Sequence, residues 1–171
     1  MEQPVTVAQS LRHARHDFLN ELQLIKMNLD LGRLEEVQAI IRTHGEAAVQ
    51  MSRLAGLKML NTEEWLLLSK WRFPEFRFHL RCPAAKAPVH LDKIYSKTIE
   101  ALMEAVRIQM DPYQEYECHM DIVNEDFCFI IKIRLTGEWT DIQVPEVPEL
   151  EIVKACGPDG LNIAIRAQME G

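Results

Sequence analysis

Between Val5 and Leu31 the chain has no proline and no glycine, and Phe18, Leu22, Ile25 and Leu29 follow one another at steps of 4, 3 and 4. This heptad seam, with Leu11 on the same stripe, commits the segment to one long helix. Asp30-Leu31-Gly32-Arg33 reads as its end, with Gly32 near C′. A second helical pattern starts at Leu34 and runs to about Leu60. Val37, Ile40, Ile41, Ala48, Met51, Leu54 and Ala55 supply its apolar face, and Gly45 and Gly56 weaken it slightly. At about 1.5 Å per residue, each helix is roughly 40 Å long. Two long helices on a short loop make an antiparallel hairpin. A lone hairpin has nothing to bury its other apolar edge against. The sequence therefore predicts a homodimer of two-fold symmetry, whose paired hairpins form a four-helix bundle.

The pattern changes after residue 60. Asn61-Thr62-Glu63-Glu64 has the form of a capping box and opens a short helix to about Trp71, with Pro74 beyond it. Glu75 to Arg81 alternates as a strand does. Leu91 to Met110 is helical. Tyr116 to Val123 and Phe127 to Leu135 read as strands, with Asn124-Glu125-Asp126 as the turn. Gln143 to Pro148 is irregular, a short element lies near Leu150–Ala155, and Asn162 to Met169 is a last strand. The expectation is an α+β chain in two parts: a helical hairpin over residues 1–60 and a small α/β domain over 61–171.

Charge supports that division. Residues 1–60 hold seven Lys/Arg and seven Asp/Glu, so the whole net charge of −7 falls on the remainder. An acidic chain is a poor binder of nucleic-acid backbone, so no nucleic-acid partner is expected. No apolar run reaches the roughly 18 residues of a membrane span, and the N-terminus lacks a secretory signal. The four cysteines form no C-x-x-C pair. These features predict a cytoplasmic protein with reduced thiols and no membrane contact.

Chemistry concentrates in Arg12-His13-Ala14-Arg15-His16-Asp17-Phe18-Leu19-Asn20-Glu21-Leu22-Gln23. With about 100° per residue and His16 at zero, Leu11, Phe18, Leu22, Ile25 and Leu29 lie between about 180° and 240°. His16 thus points away from the seam, with Gln9, Arg12, Asn20, Gln23 and Met27 on its face and His13 nearby. A neutral imidazole nitrogen can attack phosphorus while the other nitrogen holds its proton against an acceptor. Asp17 and Asn20 are both placed to accept, and spacing does not choose between them. Phosphoryl transfer needs positioning and positive charge more than covalent help, and Arg12 and Arg15 supply charge. An exposed helical histidine is otherwise an ordinary surface residue. His13 and His16 lack a third metal ligand. His79 and Cys82 face opposite sides of a strand, and His90 and His119 have no visible partners. Cys118, Cys128 and Cys156 are expected in the core, and Trp65, Trp71, Phe73, Phe76 and Phe78 in a packed junction between the two parts.

The string His16-Asp17-Phe18-Leu19-Asn20-Glu21-Leu22-Gln23-Leu24-Ile25-Lys26 resembles the phosphoacceptor box of the sporulation-initiation phosphotransferase B family. That box reads H-D-aromatic-x-N-x-L-Q-L-I-K after an Arg, and related H-D-x-x-N-x-L boxes occur in sensor histidine kinases. The resemblance implies a dimeric phosphorelay protein controlling sporulation initiation. His16 would take a phosphoryl group from the aspartyl phosphate of a single-domain response regulator. It would pass the group to the receiver domain of a response-regulator transcription factor. Arg15, Asp17 and Asn20 match flanking positions. His13 also matches a position where the family tends to have a His. Leu19, Gln23 and Met27 would face the docked receiver. The Mg²⁺ for this chemistry sits in the partner, so no metal ligand and no cofactor is expected in this chain. Glu21 departs from the family, where a Lys is expected, and would alter docking charge. No sensor segment precedes the box, which favours a stand-alone phosphotransferase.

In sensor kinases the following domain binds ATP. Here Glu104-Ala105 falls where an Asn-Ala is expected, with Glu100 one turn earlier. Thr136-Gly137-Glu138-Trp139 has a single glycine where a D-x-G-x-G belongs. Gly157-Pro158-Asp159-Gly160-Leu161-Asn162 only partly resembles a G-x-G-L-G-L lid. Cradling phosphates takes several close backbone N–H groups, hence glycines. The second part therefore resembles a degenerate kinase domain without ATP use, and Glu100 and Glu104 read equally as a solvated helix face. A true ATP-using autokinase and a non-catalytic response-regulator or kinase-binding protein are the two alternatives.

Overall fold

The computed structural model describes residues 6–169. Helix α1 spans Val7–Asp30 and helix α2 Leu34–Gly56. Thr6 starts α1 with a capping box: its hydroxyl accepts from Gln9 N (3.2 Å), and Gln9 Oε1 accepts from Thr6 N (2.8 Å). The helix ends in a Schellman motif. Gly32 sits at φ 69, Arg33 N donates to Asn28 O (2.8 Å), and Gly32 N donates to Leu29 O (3.0 Å). The expected C′ glycine is thus in place, and it makes the turn into α2.

Asn28 is buried in α1 because its amide donates to Leu24 O (2.9 Å). Val37 is buried in the part of the hairpin before residue 50, whereas Leu11, Phe18, Leu22 and Leu29 on the seam remain 45–66% exposed.

The chain divides into two compact units, residues 1–49 and 50–171, rather than after residue 60. The reason is local. Gln50 Oε1 accepts from Cys82 N (2.8 Å), and Leu54, Leu57 and Met59 belong to the core of the second unit. Helix α2 stops at Gly56 instead of running to Leu60, and Lys58 turns the chain at φ 63.

Helix α3 then spans Leu60–Arg72, strand β1 Phe76–Arg81 and helix α4 Asp92–Arg107. Strands β2 (Tyr116–Glu125), β3 (Cys128–Leu135), β4 (Glu151–Gly157) and β5 (Gly160–Gln168) complete the unit. The sheet order is β1-β2-β3-β5-β4, and only β1 and β2 are parallel. This is an α+β architecture. A parallel pair requires a crossover, which α4 supplies.

Alternation along the strands divides the sheet into two faces. Phe76, Cys118, Met120, Ile131, Ile133, Leu135, Leu161, Ile163 and Ile165 join the core with Tyr95, Ile99, Leu102 and Met103 of α4. Arg77, His79, Arg81, Glu117, His119, Asp121, Lys132, Arg134 and Asn162 occupy the alternate positions on the opposite face.

Several local expectations are corrected. Asn61 is not the cap of α3, which starts one residue earlier without a side-chain cap of its own. Its free N–H groups go to Asp92, the first residue of α4. Asp92 Oδ2 accepts from Asn61 N (2.7 Å) and Asn61 Nδ2 (2.8 Å), and Oδ1 from Thr62 N (2.9 Å) and Thr62 Oγ1 (2.8 Å). Burial would raise this carboxyl, but the four donors outweigh it and hold it below the usual carboxylate range.

The β2–β3 turn is Asp126-Phe127, with both residues at positive φ (47 and 62), as a two-residue hairpin loop requires. Trp65, Phe73 and Phe76 are buried in the second unit's own core, where Trp65 meets Phe73 at 6.0 Å and Phe78 edge-on at 6.1 Å. Of the cysteines expected inside, Cys118 is buried, Cys128 is half-buried and Cys156 is exposed, since β4 is an edge strand.

Candidate functional site

His16 lies in the middle of α1 with its side chain 71% exposed. The helix is unbroken from residue 7 to 30, so the 100° advance applies without a kink. Arg12, Asn20, Gln23 and Met27 fall within about 40° of His16, and Leu19 about 60° to one side. All five are exposed, and Leu19 and Met27 are each 50% accessible. Arg15 and Asp17 flank the stripe on either side.

Both candidates for the second ring nitrogen reach the same atom. Asn20 Nδ2 lies 3.3 Å from His16 Nδ1, and Asp17 Oδ1 lies 3.6 Å from it. Asn20 sits one helical turn on, the spacing at which helical side chains meet, while Asp17 reaches Nδ1 from the flank. The Asn20 amide nitrogen can only donate, which suits a bare Nδ1, whereas the Asp17 carboxylate accepts and favours the tautomer with the proton on Nδ1. In the tautomer that Asp17 favours, Nε2 is the bare nitrogen of an exposed ring and can act as a nucleophile.

Glu21 does not join this face. It lies about 140° around α1 from His16. Its Oε2 is 3.4 Å from His44 Nδ1 of α2, so the expected change in docking charge at the His16 stripe is replaced by a contact inside the hairpin. His13 is exposed on α1.

The kinase-like positions of the second unit are committed to structure. Glu100 is not a solvated acid: its two oxygens accept from Trp65 Nε1 and from the Arg72 guanidinium, tying α4 to α3. Glu104 is exposed. Gly157 and Gly160 pair across the two-residue β4–β5 loop, Pro158-Asp159. Gly160 has φ 122, and a Cβ there would stand 2.0 Å from Leu135 O. The glycine exists so that β5 can approach the end of β3. Gly137, at φ 109, likewise packs against Tyr116 beneath Trp139, whose ring centroid is 5.2 Å from that of Tyr116. The two glycine signals therefore serve strand and aromatic packing.

On the open face of the sheet, one cluster escaped the sequence. His79 and His119, forty residues apart, are direct partners in the parallel β1–β2 register. Their rings stack at 4.6 Å with planes 14° apart, and Glu117 is hydrogen-bonded to His79 Nε2. Burial and the adjacent His79 and Arg134 charges hold His119 below the ordinary imidazole value. The hydrogen bond from His79 holds the Glu117 carboxyl below the carboxylate range. Only the strand pairing, which spacing along the chain does not encode, could have revealed this set.

Among the described residues no helix is long and apolar enough to cross a membrane. Residues 1–57 match the family model described as the alpha-helical domain of the SpoOB-type sensor kinases. No curated protein matches the chain. Among solved structures, the histidine kinase domain of the blue-light-activated kinase of Erythrobacter litoralis EL346 is similar at TM-score 0.46 and 8% identity, over 64% of this chain and 61% of that one. The histidine kinase ThkA, solved in complex with the response regulator TrrA, is similar at TM-score 0.44 and 9% identity, over 94% and 61%. The Acinetobacter baumannii histidine kinase AdeS is similar at TM-score 0.42 and 9% identity, over 91% and 98%. The chain thus spans about three fifths of the length of the first two.

Proposed function

We propose that this chain is a histidine phosphotransferase of a two-component phosphorelay, with His16 as the phosphoacceptor. The observation that carries the reading is the exposed imidazole whose Nδ1 lies beside both Asn20 and Asp17, inside a segment that matches the SpoOB-type helical-domain model.

In the transfer, Nε2 attacks the phosphorus of a receiver's aspartyl phosphate. The N–P bond forms as the bond between phosphorus and the carboxylate oxygen breaks, and the aspartate leaves as carboxylate. Asp17 favours the proton on Nδ1 and stabilises the positive charge that develops on the ring, and Asn20 stands beside the same nitrogen. Arg12 and Arg15 supply cationic surface beside it. Leu19, Gln23 and Met27 give the receiver an apolar and neutral footing. The reverse step delivers the group to a second receiver, and a role in sporulation initiation follows the family likeness of the box. Mg²⁺ belongs to the partner's acidic pocket.

The apolar seam on α1 supports a homodimeric four-helix bundle, because Leu11, Phe18, Leu22 and Leu29 are left exposed in one chain. The second unit is read as a kinase-like domain without ATP chemistry. Glu100 is engaged by Trp65 and Arg72, and the glycines serve packing. A cytoplasmic location accords with the reading.

The test is transfer from a phosphorylated receiver protein to this chain, with His16→Ala beside it. Acid-labile label on the wild type alone is the expected result. Label on both proteins overturns the site. Label on neither, with the receiver still bound, leaves a binding module. ATP binding at micromolar affinity in calorimetry would instead make the chain an autokinase.

A further inference from the structure

We propose that His79, Glu117 and His119 form a zinc site on the open face of the sheet. One nitrogen of each histidine and one Glu117 oxygen lie within 4.8 Å of one another. Zinc bound at about 2.0–2.2 Å to nitrogen and oxygen holds tetrahedral ligand atoms roughly 3.3 Å apart. Closing that gap requires the two rings to turn out of their 14° stack so that their nitrogens converge, with the backbone register unchanged. His79 and His119 are in register across β1 and β2, and Glu117 is two residues from His119 on the same face.

Two imidazoles and a carboxylate are a donor set for zinc, whereas Mg²⁺ prefers oxygen ligands. Three protein ligands leave a fourth position for water on the solvent side. The surrounding charges permit a cation here. Arg77 is paired with Glu115 (2.8 Å), Arg81 with Asp121 (2.8 Å), and Lys132 with Glu125 (2.6 Å). Arg134, the β3 partner of His119, is the opposing charge, and Glu117 faces it from the same side of the sheet. His119 also lines a shallow trough of about 300 Å³ with Asp121, Lys132, Arg134 and Asn162, which gives the site access from solvent. The core of the second unit is complete without the metal, so zinc would load a folded protein.

The experiment is calorimetric titration of the metal-free full-length chain with zinc chloride, beside His79→Ala, His119→Ala, Glu117→Gln and His16→Ala. Circular dichroism checks that each variant is folded. One site per chain is expected in the wild type and in His16→Ala. Either sheet-histidine variant should lose it, and Glu117→Gln should weaken it about tenfold. Magnesium chloride should give no heat. Cobalt in place of zinc should give a visible spectrum without a thiolate band, which separates this site from the exposed Cys156. No zinc uptake by the wild type, or uptake unchanged in the folded histidine variants, overturns the proposal.

Discussion

Helix α1 and strand β3 are both rich in apolar residues, yet they spend them differently. Phe18, Leu22 and Leu29 of α1 remain about half exposed, and its buried residue is the polar Asn28. Phe129, Ile131, Ile133 and Leu135 of β3 are closed off almost completely by neighbouring strands and by the helices on the inner face. The sheet unit satisfies its own apolar surface, while the hairpin holds apolar surface in reserve. A fully buried leucine is worth about 1.5–3 kcal/mol over an exposed one, so the seam is the larger unspent resource of the chain. The same helix carries the exposed histidine on its other side. A partner can therefore cover the seam without touching His16.

The sharpest test of the sheet unit's self-sufficiency is Gly160→Ala. The added Cβ would collide with Leu135 O, in a backbone region that L-residues avoid. We expect a loss on the order of 3 kcal/mol in urea denaturation. A change under 1 kcal/mol would show that the β4–β5 hairpin is not tightly coupled to β3.

The hairpin is probed by Leu22→Glu, which would place two charges in the seam of the proposed dimer. Sedimentation equilibrium should show dimer affinity falling by about 100-fold, from the two buried leucines lost per dimer. An unchanged assembly would mean that the seam is covered by something other than a second copy.

Asp92→Asn tests whether the sheet unit's order depends on its tertiary cap. The amide would present N–H groups to donors on Asn61 and Thr62, and we expect a loss of about 2 kcal/mol at neutral pH. The wild-type carboxyl is held below its unfolded value near 3.9. Its contribution is therefore full above that value and lost as pH falls through the lower folded value. The gap between wild type and variant should narrow on acidification below about pH 4. A constant gap would assign the loss to packing instead.

The smallest effect belongs to Asn20→Ala. Phosphotransfer should slow about tenfold, close to 1.4 kcal/mol, with unfolding unchanged, because only the bracing of Nδ1 is removed. A wild-type rate would give that role to Asp17 alone.

Periodicity made both long helices legible, and Gly32 marked the turn between them because a positive φ there favours glycine. The outward pose of His16 followed from the helical repeat alone. What could not be read was any partnership across distance. The end of α2 joins the second unit's core through Leu54, Leu57 and Met59, although its sequence pattern is continuous with the hairpin. Glu21, expected from the resemblance to alter docking charge, instead lies beside His44.

The sequence by itself determined the hairpin, the alternating strands, the acidic balance of the second half and the histidine box. Each depends on neighbours within a few residues, where backbone geometry fixes which side chains share a face. The tertiary structure alone decided that Asp92 caps α3, that Gly160 lets β5 reach β3, and that His79 and His119 stand together. These pairs lie 25 to 40 residues apart in the chain, and strand register and helix docking bring them within bonding distance.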